Sequence, residues 1–279
     1  MIEMLPEWLL GWLGEDGIAT LNYLSNGKHV AWYASVKYTF IAAFAGAALA
    51  VLFGLLGAAA KQSSFFILRA IGNTYTTMVR GVPDVLFLLF FPLAFEQSAE
   101  YAFAYWRCTP EEIATATSWP LCQAAQWYLG TTEYLIMACV SLGLVYGAFA
   151  ANVIYGALQA VPKGQLEAAQ AFGFKPWQVF WHVQVRQMWV YALPGLSNVW
   201  LLLLKATSLL SLLQIIDIVA WADRLGAPNF LPMAGLVHPD WRWKYYLALF
   251  VFYILLTLIS ERFFKALQAR VSRGMVRAE

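Results

Sequence analysis

The chain has 279 residues, of which 61% are hydrophobic and only 12% charged, and its mean hydropathy is +0.60. So few charged side chains cannot cover a soluble globular domain, so the composition excludes that class and points to a bilayer. The formal net charge of +2 is too small to argue for nucleic acid, and it reflects where the basic residues are placed along the chain.

Residues 1–37 open with Glu3, Glu7, Glu15 and Asp16 and lack the basic start and small-residue cleavage site of a secretory signal. They are expected to form an external N-terminal segment, with the first span retained as the targeting signal. A spanning helix needs about 20 mostly apolar residues. Five stretches qualify, at roughly 38–60, 82–103, 134–160, 191–213 and 245–263. The second has the shortest continuous apolar core, Val85 to Phe95, which carries Pro92 and is prolonged by the mixed run Glu96 to Tyr105. The expectation is an all-α integral membrane protein with five transmembrane helices.

Lys and Arg resist translocation and collect on the cytoplasmic side. Lys61, Arg69 and Arg80 follow the first span; Lys163, Lys175 and Arg186 follow the third; Arg262, Lys265, Arg270, Arg273 and Arg277 follow the fifth. The remaining connections hold most of the acids, including Glu96, Glu100, Glu111, Glu112, Glu133, Asp223 and Asp240. The N-terminus is therefore expected outside and the C-terminus inside. A transmembrane domain would cover 38–263, with an external loop at 96–133 and a cytoplasmic loop at 161–189, before a cytoplasmic tail at 264–279.

The external loop contains Cys108 and Cys122, which a disulfide would join in an oxidising compartment; two free thiols satisfy the sequence equally. Its Tyr101, Tyr105, Trp106, Trp119, Trp127 and Tyr128 suit either the headgroup level of a membrane or an external partner. Cys139, inside the third span, reads as a small apolar filler.

The cytoplasmic loop contains Val161 to Gly173, a polar, small-residue stretch between two apolar spans. Pro162 and Gly164 should end the preceding helix, and Gln165 to Phe172 should form two turns that Gly173 stops. Glu167 is expected near the start of those turns, where the helix dipole favours an anion, beside Ala168 and Ala169, whose size lets a partner's backbone approach. The alternative is an ordinary connecting loop.

In the fourth span, Lys205 shares a helical stripe with Asn198 and Ser208, and Ser211 follows three residues further on. A buried ammonium must face protein or water, either as a structural partner of carbonyls or as part of a solute path. Glu96, near the outer end of span two, would meet a cationic solute or sit as an exposed loop acid. The sequence has no phosphate-binding Gly-Lys-Ser/Thr loop and no His-Glu-x-x-His, and His29, His182 and His238 lie far apart without metal-ligand spacing. An ion-coupled carrier would carry buried acids in its spans and an inverted repeat, and neither is evident here.

The run Pro-Lys-Gly-Gln-Leu-Glu-Ala-Ala-x-x-x-Gly at 162–173 resembles the EAA loop of ABC importer permeases. Tyr75 to Asp84 resembles the segment before the second span of the polar amino acid permeases. Leu193 to Asn198, continuing through Leu204 to Leu209, is similar to their fourth span, and the ending from Glu261 also fits. Within that family the resemblance is strongest to the Q-type subunits of histidine and lysine/arginine/ornithine systems, with the octopine and nopaline systems near by. It implies a type I importer architecture in a bacterial inner membrane, taking up amino acids, with basic ones foremost. It also implies a second permease subunit in a heterodimer, an ATPase homodimer holding ATP and Mg2+, a periplasmic amino acid binding protein, and no cofactor on this chain. Gly164, Glu167, Ala168, Ala169 and Gly173 would form the ATPase-coupling helix. Two departures stand out: Asn152 and Tyr155 occupy places where relatives carry a Glu and an Arg. The motif's usual Ile-x-Leu-Pro tail reads Val183-Gln184-Val185-Arg186 and lacks the proline, so a different geometry is expected after Gly173. An ion-coupled carrier and a membrane scaffold that keeps a docking loop are the alternative functions.

Overall fold

In the computed structural model, residues 17–213, 215–231 and 236–272 are described. The acids at Glu3, Glu7, Glu15 and Asp16 and the tail residues Arg273 and Arg277 lie outside them. Every long element among the described residues is helical, and five helices are long and apolar enough to cross a membrane. All five expected spans are present, but each is longer than its apolar core.

Helix α1, Gly27–Gln62, begins well before residue 38 because Asn26 Oδ1 accepts from the His29 backbone N–H at 3.0 Å and caps it. At about 1.5 Å per residue it exceeds the roughly 30 Å hydrocarbon layer. Helix α2, Phe66–Gly81, is not a span. It is an amphipathic connector that buries Gly72 and Thr76 against the end of α1 and exposes Phe66, Ile67 and Met78. Helix α3, Asp84–Arg107, continues through Glu96 to Arg107, so the first part of the expected external loop is helical. Pro92 does not end it.

Beyond α3 lies a small subdomain that joins it to the third span. The short helix α4, Pro110–Thr115, has a reciprocal cap between Thr109 and Glu112. A disulfide joins Cys108 to Cys122, with their Cα atoms 6.1 Å apart.

Helix α5, Thr131–Ala160, is the centre of the bundle, with two thirds of its most apolar stretch buried. It packs on α1 through small residues. An ideal Cβ on Gly46 would lie 3.2 Å from Leu142 Cβ, and one on Gly54 would lie 2.7 Å from Ala150 Cβ. Both pairs have the same sequence offset, so α1 and α5 run parallel, as the first and third crossings of an alternating bundle must.

Helix α6, Lys163–Ala171, follows α5 directly. The fourth span then starts with one turn at Pro176–Gln178 and a π-helical stretch, Val179–Gln184. It continues as α7, Val185–Ala206, and tightens into a 3-10 turn, Thr207–Leu213. Helix α8, Ile218–Gly226, is capped by Asp217, whose Oδ1 accepts from the Val219 and Ala220 N–H groups. Helix α9, Arg242–Val271, crosses last. Trp200 donates to Ser260 and Thr207 pairs with Tyr253, so α7 and α9 are antiparallel. Among the residues of α9 only Tyr245 and Leu249 are buried. The rest of that helix presents an apolar surface that lipid or another chain must cover.

Candidate functional site

Helix α6 is the polar element in the connection between the third and fourth spans. Its boundaries differ from expectation in an informative way. Helix α5 ends at Ala160, Pro162 caps α6, and Gly164 is already inside it, so Pro162 and Gly164 start the short helix. Glu167 is then the fifth residue of nine, beyond the first turn, and the dipole does not explain it. Its side chain is exposed with Ala168, whereas Ala169 is turned inward and buried. The stop is as expected: Gly173 has φ +86°, and its N–H reaches Gln170 O at 2.9 Å. That left-handed conformation is nearly free for glycine and costly for residues with a Cβ.

Three contacts hold α6 and its flanks in place. Phe174 N–H donates to Ala169 O, closing the end of the helix on itself. Leu166 and Phe180 pack on the cluster of Ala58, Ile154, Leu158, Met188 and Ala192. Gln184 Nε2 donates to Leu158 O at 3.1 Å, tying the π-helical stretch to α5. Gln184 lies in the tail that lacks the usual proline, and the backbone there forms this π-helical turn with its side-chain tether. π-turns inside helices often mark functional positions.

The departures at Asn152 and Tyr155 also acquire a physical account. Lys61, at the end of α1, donates to Asn152 Oδ1 and places its ammonium 5.1 Å from the Tyr155 ring centroid. A neutral amide and a ring face take up the cation, fastening α1 to α5 about two turns before α5 ends.

Around α6 lies a patch that the sequence reading missed. Phe172 is 85% exposed, Trp177 59% and Trp181 60%, with Phe174 beside them. Exposed aromatics this dense are the usual anchors of protein interfaces. The signal was present in the sequence as Phe-Gly-Phe and Trp-Gln-Val-Phe-Trp next to the glycine stop.

The solute-path candidates fall into two places. Asn198 opens on a cavity of about 410 Å3 between α7 and α9, with Ser197, Glu261 and Lys265 on its wall. Glu261 and Lys265 pair with each other along α9, one turn apart, at 3.6 Å. Lys205 is exposed on the same face of α7, and no carboxylate lies within ion-pair distance of it among the described residues. The tightening after Ala206 keeps Ser208 above Lys205, because residues three apart eclipse in a 3-10 turn. Ser208 Oγ donates to Lys205 O at 2.7 Å.

Glu96 stands apart from this group. It is a half-buried helical residue, not a loop acid, and accepts from Tyr134 at 3.2 Å. One turn further on, Glu100 is the buried carboxylate; it accepts from Trp119 Nε1 at 2.5 Å and from the Trp127 N–H at 2.9 Å. Glu100 therefore fastens the small subdomain to α3, together with the disulfide. The sequence carried it only as an unremarked i,i+4 neighbour of Glu96. Tyr146, which donates to Asp84 at 2.6 Å, ties the start of α3 to α5 in the same manner.

Five membrane-length helices, with a short braced helix between the third and fourth, form the bundle architecture of a membrane transport subunit. The comparisons with known proteins specify which kind. Residues 50–273 match the family described as binding-protein-dependent transport system inner membrane component, and the chain belongs to that family. It is 34% identical to the histidine/lysine/arginine/ornithine transport system permease protein HisQ of Escherichia coli, over 85% of this chain and 91% of HisQ. It is also 34% identical to the nopaline transport system permease protein NocQ of Agrobacterium fabrum, over 81% and 84%. The octopine permease OccQ of Rhizobium radiobacter is 30% identical over 86% and 89%. Among solved structures, a chain of an amino acid ABC transporter with histidines superposes with a TM-score of 0.65 at 20% identity, covering 89% of this chain and 98% of that one. A chain of the MetNI methionine ABC transporter gives 0.54 at 14%, covering 87% and 94%. This is the fold of a type I ABC importer permease, a multi-pass protein of the inner membrane that depends on an ATPase and a substrate-binding protein.

Proposed function

We propose that this chain is one half of the translocation path of an importer for basic amino acids, among which histidine, arginine, lysine, ornithine and the opines are the candidates. A periplasmic binding protein would deliver the solute, and an ATPase pair holding ATP and Mg2+ would grip helix α6. The observation that carries the reading is α6 itself: nine residues braced by α5 and α7, with Glu167 and Ala168 outward and Phe172, Trp177 and Trp181 exposed beside them. The substrate class is supported by the relatives, whose names specify histidine, lysine, arginine, ornithine, octopine and nopaline.

In this reading the N-terminus is outside and α6 lies in the cytoplasm. A second permease subunit would cover the open apolar surfaces. One of them is a cavity of about 720 Å3 between α2 and α3, lined by residues such as Tyr75, Met78, Leu86 and Phe90. A heterodimer suits such a surface because a different but similar chain can complete it. Lys205 and Ser208 would line the path from this side, the ammonium meeting the carboxylate common to all amino acids, and Asn198 would lie deeper along it. Glu96, with one oxygen free of Tyr134, would face a cationic side chain from the outer end.

Coexpression with the ATPase and the second permease, followed by reconstitution, tests this. Uptake of labelled arginine or histidine should require ATP and the binding protein, and Glu167→Lys or Gly173→Asp should abolish ATPase copurification and uptake while leaving membrane insertion intact. Uptake by this chain alone that collapses with a protonophore would identify an ion-coupled carrier instead. Failure of any ATPase to copurify with the unmodified chain would leave the scaffold reading.

A further inference from the structure

At the end of the bundle opposite α6, helices α1 and α9 meet through His29, Trp32 and Tyr245 and leave a cleft beside that contact. Helix α8 is wedged between them, and its Ile218, Ala222 and Leu225 form a floor with Trp32, Tyr245 and Leu249. Three cavities follow one another along this cleft. The first, of about 180 Å3, is lined by Asn26, Lys28, Arg224, Asn229 and His238 beside Tyr23. The second, of about 370 Å3, shares Tyr23 and adds Trp241, Lys244 and Ala248. The third, of about 180 Å3, shares Trp32 and Ala248 and is apolar, reaching Val36 and Phe252.

The sequence of surfaces is a polar, cationic mouth, an aromatic neck and an apolar end. The stripe on α9 from Trp241 to Phe252 runs about 16 Å at 1.5 Å per residue, close to half of a roughly 30 Å hydrocarbon layer. The cleft is therefore one leaflet deep. The polar atoms on its walls are already occupied: Trp32 Nε1 donates to Ile218 O at 3.0 Å, and His29 pairs with Tyr245 at 2.8 Å. Water has no partners at the apolar end. The cations at the mouth are in the opposite condition. Arg242 holds Asp223 at 3.3 Å and Asp240 at 4.0 Å. Lys28, Arg224 and Lys244 have no carboxylate within ion-pair distance among the described residues, and Lys244 rests 4.0 Å above the Trp241 ring.

We propose that this cleft is a binding site for an anionic glycerophospholipid, with the phosphate between Lys28 and Arg224 and one acyl chain lying along Ala248 and Val36. Charge complementarity selects the headgroup, and the depth of the apolar end matches a single chain in a single leaflet. Such a lipid adds to the few direct contacts between α1 and α9, which run through Tyr245, and it does so independently of the solute carried.

The test uses the full permease–ATPase complex in nanodiscs of mixed phosphatidylglycerol and phosphatidylcholine, with retained lipid counted by native mass spectrometry after transfer to detergent. Phosphatidylglycerol should be retained in preference to phosphatidylcholine. Lys28→Gln with Arg224→Gln should reduce that preference on the order of tenfold, since each basic residue near a headgroup contributes a modest, additive attraction. Ala248→Trp, which fills an exposed position on the cleft wall and leaves the cations intact, should reduce retention of both lipids. Equal retention of the two lipids by the unmodified complex, or retention unaffected by either variant, would overturn the proposal. Inorganic phosphate that displaces the lipid and is itself retained would show a small-anion site instead. A photocrosslinker at position 248 should label lipid; labelling of the second permease subunit would show that protein covers the cleft.

Discussion

If α6 is to transmit force, the α1–α5 seam behind it must be rigid, and one substitution measures that directly. An ideal Cβ on Gly54 would lie 2.7 Å from Ala150 Cβ, whereas carbon atoms settle at about 3.5–4.0 Å. Gly54→Ala must therefore push the helices apart by about 1 Å or distort them locally, which costs on the order of 1–3 kcal/mol in a packed interior. The next atoms, Ala150 C and Ala151 N, are both at 3.3 Å, tight but within reach of a small adjustment. The clash thus belongs mainly to one methyl group. Ala150→Gly in the same chain should relieve most of it, giving a coupling of about 1–2 kcal/mol in a double-mutant cycle. Gly147→Ala is the control: its Cβ would meet Phe53 Cβ at 2.7 Å and the Tyr75 hydroxyl at 2.8 Å, and Ala150→Gly should not rescue it. The assay is reversible unfolding in bicelles or mixed micelles with added SDS, read by tryptophan fluorescence. A Gly54→Ala variant as stable as the parent, or one that Ala150→Gly fails to rescue, would refute the argument.

Gly173→Ala should destabilise the end of α6 by about 1 kcal/mol through backbone strain alone, since φ is +86° and no atom crowds the new Cβ; Gly164→Ala, equally uncrowded but helical, should be neutral or slightly stabilising, and hydrogen exchange at 163–174 separates the two. Phe172→Asp or Trp177→Asp should abolish copurification of the ATPase with no change in membrane insertion, because each places a charge in an exposed aromatic patch. Burial pushes the Asp217 carboxyl up to about 6, against the opposing pull of the Val219 and Ala220 N–H groups, and its Oδ2 is buried without a partner. A raised folded value means that this stabilisation is complete below the unfolded value of 3.8 and is lost as pH rises through about 6. The loss is on the order of 2–3 kcal/mol. Unfolding midpoints measured between pH 4 and 7 should fall with rising pH, and Asp217→Asn, which keeps a capping oxygen, should flatten the slope.

The five spans and the short helix α6 with its glycine stop were legible because each has a local cause. Apolar runs of sufficient length, a glycine that needs positive φ, and small residues beside Glu167 all leave their mark in one stretch of sequence. Helix ends were less legible. Asn26 caps a helix whose first turn is too polar for a hydropathy window, Asp217 caps one of only nine residues, too short to register as a span, and α3 runs on through Glu96 and Glu100 because those carboxylates find Tyr134, Trp119 and Trp127 across the fold. The same reason hid the roles of Lys61 and Gln184. Their partners, Asn152 and Leu158, lie 91 and 26 residues away in sequence, and no periodicity in either segment announces them.

Those two tethers explain how a nine-residue helix acts on a bundle. A displacement at α6 enters α5 through Val161 and Pro162, a connection with no slack, and enters the fourth span through the π-helical stretch. Were these two routes independent, α5 and α7 would slide past each other and the movement would dissipate. Gln184 bonded to Leu158 forbids that at one level, and Lys61 bonded to Asn152 carries the constraint on to α1 at the next. Above them the small-residue seam from Gly57 to Gly46 leaves no room for shear. Helices α1, α5 and the lower half of α7 must then move as one body, so the bending is left to what lies outside it: the tightened turn after Ala206 and the loosely packed α9. Lys205 and Ser208 sit at that boundary, and in the proposed importer a pull on α6 would change the width of the path they line.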